Sequence, residues 1–125
     1  GGHNSPFLIS TDGKVNQLEK VGGLLIGAIK DADYESSVVM LKPDETLFFY
    51  TDGVTEAFNK NEEEYEEARL IEVLKNNNTN SAIESVKSVF DNVQKFADGV
   101  EQSDDITCLA LKYLKHWKLF LYSLF

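Results

Sequence analysis

Two short acidic segments carry the residue types that could do chemistry. In the first, the apolar run Leu47-Phe48-Phe49-Tyr50 is followed at once by Thr51-Asp52-Gly53. A strand that ends this way exposes a carboxylate where the backbone turns, and the glycine permits a close approach to a ligand. In the second, Ser103-Asp104-Asp105 leads into Ile106-Thr107-Cys108-Leu109. Adjacent carboxylates repel one another unless a cation or a proton joins them. On spacing alone, each segment is more simply a turn. A metal held by such residues would be a hard one, because carboxylates and water suit Mg2+ or Mn2+. Zinc would want clusters of His and Cys, and the chain has two His and one Cys.

Other reactive side chains have plainer readings. His3, next to Asn4 and close to Pro6, reads as a hydrogen-bonded residue at the start of a strand rather than as a general acid. Glu56 reads as a solvated or helix-terminal charge. Cys108 lies in an apolar run without basic neighbours and reads as a buried strand residue. With a single cysteine no internal disulfide can form, which fits a reducing cytoplasm.

The elements that must position these residues follow from pattern. Residues 7–10 and 15–18 read as strands joined by Thr11-Asp12-Gly13-Lys14, a hairpin turn. The apolar run at residues 24–29 is interrupted by glycine and reads as irregular or bulged. Residues 34–41, a turn at 42–45 and residues 46–50 read as a second strand pair. From Glu62 the period becomes helical, with Leu70, Ile71 and Leu74 on one face behind a solvated acidic start. That helix should end at Asn76-Asn77-Asn78. Ser81 or Asn80 would cap a second helix, whose Ile83, Val86, Phe90, Val93 and Phe96 recur at steps of three and four and which closes near Gly99. Residues 106–113 form the last strand. Strands, two helices and a strand predict an α+β fold with helices packed on a mostly antiparallel sheet. If the last strand lies antiparallel beside residues 46–50, Asp52 and Asp104 meet at one rim.

Composition bounds the function. At 125 residues and 42% hydrophobic content, the chain suffices for one domain or part of one. Twelve basic against 21 acidic residues give a net charge of −9, which repels a nucleic-acid backbone or an anionic membrane. Bound divalent cations would invert that field locally, so an anionic substrate stays open. No run of about 20 apolar residues could span a bilayer. The start at Gly1-Gly2, with Met40 as the only methionine, predicts a fragment of a longer protein.

The motifs together resemble the SpoIIE/RsbU-type, PP2C-like serine/threonine phosphatases. Tyr50-Thr51-Asp52-Gly53-Val54-Thr55-Glu56-Ala57 is similar to that family's long internal motif, and Asp104-Asp105-Ile106-Thr107 to its closing one, in the expected order. Gly2-His3-Asn4-Ser5-Pro6 and Leu41-Lys42-Pro43 are further matches, so the resemblance covers residues 2–113. It implies part of a PP2C-like α-β-β-α sandwich, with residues 1–113 as the C-terminal part of the domain and 114–125 as an apolar, aromatic tail. It further implies Asp52 and Asp104 as ligands of Mn2+ or Mg2+ (two ions in a complete domain), Asp105 beside them or as an occasional ligand, and Gly53 for shape. The implied reaction is hydrolysis of phosphoserine or phosphothreonine on a regulatory protein, favoured as a STAS-type anti-anti-sigma factor. The family's other ligands come from an N-terminal half that does not precede Gly2 here, so the 125 residues are expected to be inactive alone. Asp44 and Glu66 stand where relatives often carry glycine. The tail is a candidate for packing on the sheet or for forming a homodimer. The competing reading is a non-catalytic PP2C-like interaction module in bacterial signalling.

Overall fold

The structure, a computed structural model, describes residues 3–21, 27–30, 33–76, 81–115 and 122–124. Strands β1 (Phe7–Ile9), β2 (Val15–Gln17), β3 (Thr46–Tyr50), β4 (Cys108–Lys112) and β5 (Tyr122–Leu124) form one sheet in the order β2-β1-β3-β4-β5. Every neighbouring pair is antiparallel. Helices α1 (Asp52–Thr55), α2 (Glu66–Asn76) and α3 (Ala82–Ala97) complete an α+β architecture.

Local chemistry explains most of these boundaries. The β1–β2 hairpin turns on Asp12-Gly13, where Gly13 takes a φ of 84° and Lys14 donates its backbone N–H to Asp12. Of the two candidate caps for α3, Ser81 serves: Glu84 N–H donates to its hydroxyl, and the Glu84 carboxylate accepts the Ser81 N–H at 2.8 Å, a reciprocal capping box. That carboxylate is held below its usual pKa by the Ser81 hydrogen bonds. The helix ends as Asp98 enters the left-handed region and Gly99 follows at φ 83°.

Period-two alternation on the strands divides the sheet into two faces. Phe7, Ile9, Phe48, Tyr50, Cys108 and Ala110 point inward and are buried, packing with Leu70 and Leu74 of α2 and Val86, Val89 and Val93 of α3. Phe7 stacks on Tyr50 with ring centroids 5.5 Å apart. The opposite face carries Leu8, Leu47, Phe49, Leu109 and Leu111, all partly or largely exposed among the described residues.

Three expectations from the sequence change. Residues 34–41 do not form a strand, because β3 has β1 on one side and β4 on the other and leaves them no edge. Val38 and Met40 are consequently 87% and 83% exposed. A third helix, α1, follows β3 directly where only a turn was expected. Within the tail, residues 122–124 add β5 to the edge of the sheet, pairing Tyr122 with Ala110 and Leu124 with Cys108. Residues 24–26 of the run at 24–29, the end of the Asn tract, Asn80 and Gly2 lie outside the described residues. Among the described residues no helix is long and apolar enough to cross a membrane.

Candidate metal centre

The five-residue pairing of β3 with β4 ends at Tyr50 opposite Cys108, which brings the two acidic segments to the same rim of the sheet. Beyond that pair, Thr51 N–H donates to the Thr107 carbonyl at 3.1 Å. Asp52 then opens α1, whose turn closes with Glu56 N–H on the Asp52 carbonyl at 2.8 Å. Asp52, Asp104 and Asp105 are all exposed.

Gly53 fixes how closely the segments approach. It is buried, and a Cβ placed on it would lie 2.6 Å from the Asp105 carbonyl oxygen and 3.1 Å from that of Asp104. No side chain fits in that space, so the close approach that this glycine permits is to the Asp104-Asp105 backbone itself. The Asp104 carboxylate accepts the Asp105 N–H at 2.7 Å, and Gln102 donates its side-chain amide to the Asp104 carbonyl. Ser103 hydroxyl donates to the Glu56 carbonyl at 3.3 Å, so α1 is fastened to the acidic loop a second time.

Tyr50 ties this rim to the helices. Its hydroxyl donates to Glu67 of α2 at 2.6 Å, and the Gln17 side chain of β2 donates to the same carboxylate oxygen at 3.0 Å. Burial, then Glu67, pushes the Tyr50 pKa upward, so the phenol stays protonated. Cys108, buried at the start of β4, has its thiol pushed up to about 12 by burial and is no nucleophile. Glu56 is exposed at the C-terminal end of α1. His3 is exposed and, with Asn4, Thr51 and Thr107, lines a cleft of about 450 Å3 beside the rim.

The donors at this rim are oxygen only, matching a hard divalent cation. Among the described residues no three His, Cys, Asp or Glu side chains converge closely enough to hold an ion by themselves. For these segments to hold such an ion, further oxygens would have to come from water or from another part of a protein.

Sequence reasoning passed over Thr51 and the Tyr50–Glu67–Gln17 contact. The first had no local signature, because α1 is too short for a period and the Thr51 hydroxyl makes no bond to its own helix. The second joins residues 50 positions apart and has no local signature.

The sequence profile of the family described as stage II sporulation protein E (SpoIIE) matches residues 1–114. Protein IcfG of Synechocystis is 29% identical over 110 residues, covering 88% of this chain and 17% of that protein. The phosphoserine phosphatase RsbU of Bacillus subtilis is 28% identical over 111 residues, covering 89% of this chain and 32% of its own length. The chain thus spans less than a third of either relative. Among solved structures, the manganese-presoaked phosphatase domain of SpoIIE from Bacillus subtilis superposes with a TM-score of 0.65 at 18% identity, over 94% of this chain and 50% of that one. This last likeness is one of fold.

Proposed function

The chain belongs to the stage II sporulation protein E (SpoIIE) family, and from that premise we propose that it is the C-terminal part of a metal-dependent phosphoprotein phosphatase domain. Residues 1–113 would form that part, with 114–125 appended. The reaction is hydrolysis of phosphoserine or phosphothreonine on a regulatory protein, with a STAS-type anti-anti-sigma factor as the favoured substrate in the cytoplasm. The observation that carries the reading is the contact of Gly53 with the Asp104-Asp105 backbone, which sets the two acidic motifs side by side at the end of a buried strand pair.

In this reading Asp52 and Asp104 hold Mn2+ or Mg2+, while Asp105 supports them from beside the site. Bound divalent cations supply an acidified water and neutralise the charge of the phosphate under attack. The protein's part is to hold these carboxylates in place on short, tied segments and to leave them facing solvent, where a phosphorylated side chain can reach them. The cations also account for how a chain of net charge −9 meets an anionic substrate. The second apolar face of the sheet, partly exposed among the described residues, supports the idea of a further covering layer, since a sheet with two apolar faces is one covered on both sides.

The test is phosphate release from a phosphorylated STAS protein in the presence of Mn2+. A protein joining this chain to an N-terminal half should turn over, and Asp52→Asn or Asp104→Asn should each lower kcat about 100-fold or more if the ions supply several kcal/mol of charge stabilisation. The 125 residues alone should show none. Full activity from the isolated chain would refute the partial site, and retained activity in both Asn variants would refute the ligand assignment.

A further inference from the structure

The Thr51 hydroxyl is used in an unexpected way. Thr51 occupies the cap position of α1 with extended backbone (φ −94°, ψ 161°), where a threonine hydroxyl ordinarily accepts an N–H from its own helix. Here it makes no such bond. Instead it accepts the Thr107 N–H at 2.9 Å and donates to the Asp105 carbonyl at 2.9 Å.

Backbone geometry gives the reason. Thr51 N–H already donates to the Thr107 carbonyl, so the two residues face each other as a hydrogen-bonded antiparallel pair, which would ordinarily return Thr107 N–H to the Thr51 carbonyl. That carbonyl is engaged by Val54 N–H at 3.1 Å as the chain turns into α1. The side-chain oxygen takes its place as acceptor. One residue thus lets β3 break into α1 while its neighbour strand stays paired, and its O–H donates a hydrogen bond to the carbonyl of Asp105. Three hydrogen bonds from Thr51 reach residues 105–107.

We propose that Thr51 is a positioning residue that sets the Asp104-Asp105 turn relative to Asp52, so that divalent-cation affinity at this rim depends on its hydroxyl. This rests on the metal reading given above. Without the hydroxyl, the β3–β4 ladder and the Thr51 N–H bond to the Thr107 carbonyl remain. The fold would survive and the relative placement of the two carboxylate segments would relax.

The experiment compares Thr51→Val, which keeps shape and removes the hydroxyl, with Thr51→Ser, which keeps the hydroxyl, in the 125-residue chain. Amide exchange without metal reads the hydrogen bond: Thr107 N–H should exchange faster in Thr51→Val and at the parent rate in Thr51→Ser. Mn2+ titration, followed by paramagnetic broadening of the Asp52 and Asp104 resonances, reads the site and detects even weak binding. Thr51→Val should need about tenfold more Mn2+, the low end of what losing a partner of a metal ligand costs, with Thr51→Ser restoring the parent midpoint. Parent and Thr51→Val broadening at the same Mn2+ concentration would overturn this inference alone, as would unchanged Thr107 exchange or a failure of Thr51→Ser to rescue. No broadening in the parent chain would overturn this inference, whereas the metal reading itself falls only if Asp52→Asn and Asp104→Asn both retain activity in the protein joined to an N-terminal half.

Discussion

The two faces of the sheet are made from the same strands and nearly the same kinds of residue, yet they are in opposite states. On the inner face, Phe48 is wholly buried beneath α2 and α3; on the outer face, its neighbour Phe49 is 38% exposed. Alternation alone would make one face apolar and the other polar in a sheet covered once. Here both are apolar, and the difference lies only in which face the helices of this chain reach. The inner face therefore carries the stability of these 125 residues, while the outer face is composed for a covering layer they do not contain among their described residues. The acidic rim sits where the two faces meet, at the end of the most extensively paired strands.

The largest expected effect tests that division directly. Phe48→Ala should destabilise by about 3–5 kcal/mol, as truncation of a fully enclosed aromatic ring does, whereas Phe49→Ala should cost under about 1 kcal/mol in this chain. Urea unfolding of both variants measures the contrast, and equal losses would mean that the outer face is enclosed in solution. Gly53→Ala comes next. Its methyl group would have to displace the Asp105 backbone, at about 1–3 kcal/mol for overpacking, and should also shift the Asp104 and Asp105 amide resonances. Unperturbed resonances would break the claim that the two acidic segments touch.

A smaller effect of opposite sign belongs to the cover of the inner face. Glu66, at the start of α2, takes a φ of 62°, and Asp44, in the turn before β3, a φ of 69°. Left-handed backbone is costly for a residue with a Cβ. Glu66→Gly should raise stability by about 1 kcal/mol, visible as a higher urea midpoint with unchanged slope. A lower midpoint would show that the Glu66 side chain contributes more than its backbone costs.

What was legible in the sequence is what local pattern determines. Asp12-Gly13 marked the first hairpin, Ser81 was one of two candidate caps for α3, and helical spacing found Leu70, Leu74, Val86 and Val93 on the buried faces. The pairing of the last strand with residues 46–50 was one open arrangement, with Asp52 and Asp104 at one rim as its consequence, and the structure has it. Residues 34–41 misled because strand propensity says nothing about whether an edge is available, and β1 had already taken it. Helix α1 escaped notice because four residues are too few for a period. The role of Thr51 could not be read at all, since it depends on a carbonyl being occupied one turn further on.

The β5 strand has a consequence for how the protein behaves in a crowded solution. A sheet ends in two rows of unpaired backbone groups, each a template for another chain. The β2 edge is blunt, only three residues long with Asn16 and Gln17 exposed. The β4 edge is five residues long and largely apolar, and β5 lies along three of its five residues. Residues 122–124 thus act as a guard strand against edge-to-edge aggregation. Deleting residues 115–125 should bare that row and produce concentration-dependent light scattering, and a truncated chain that stays monodisperse would show the guard to be dispensable.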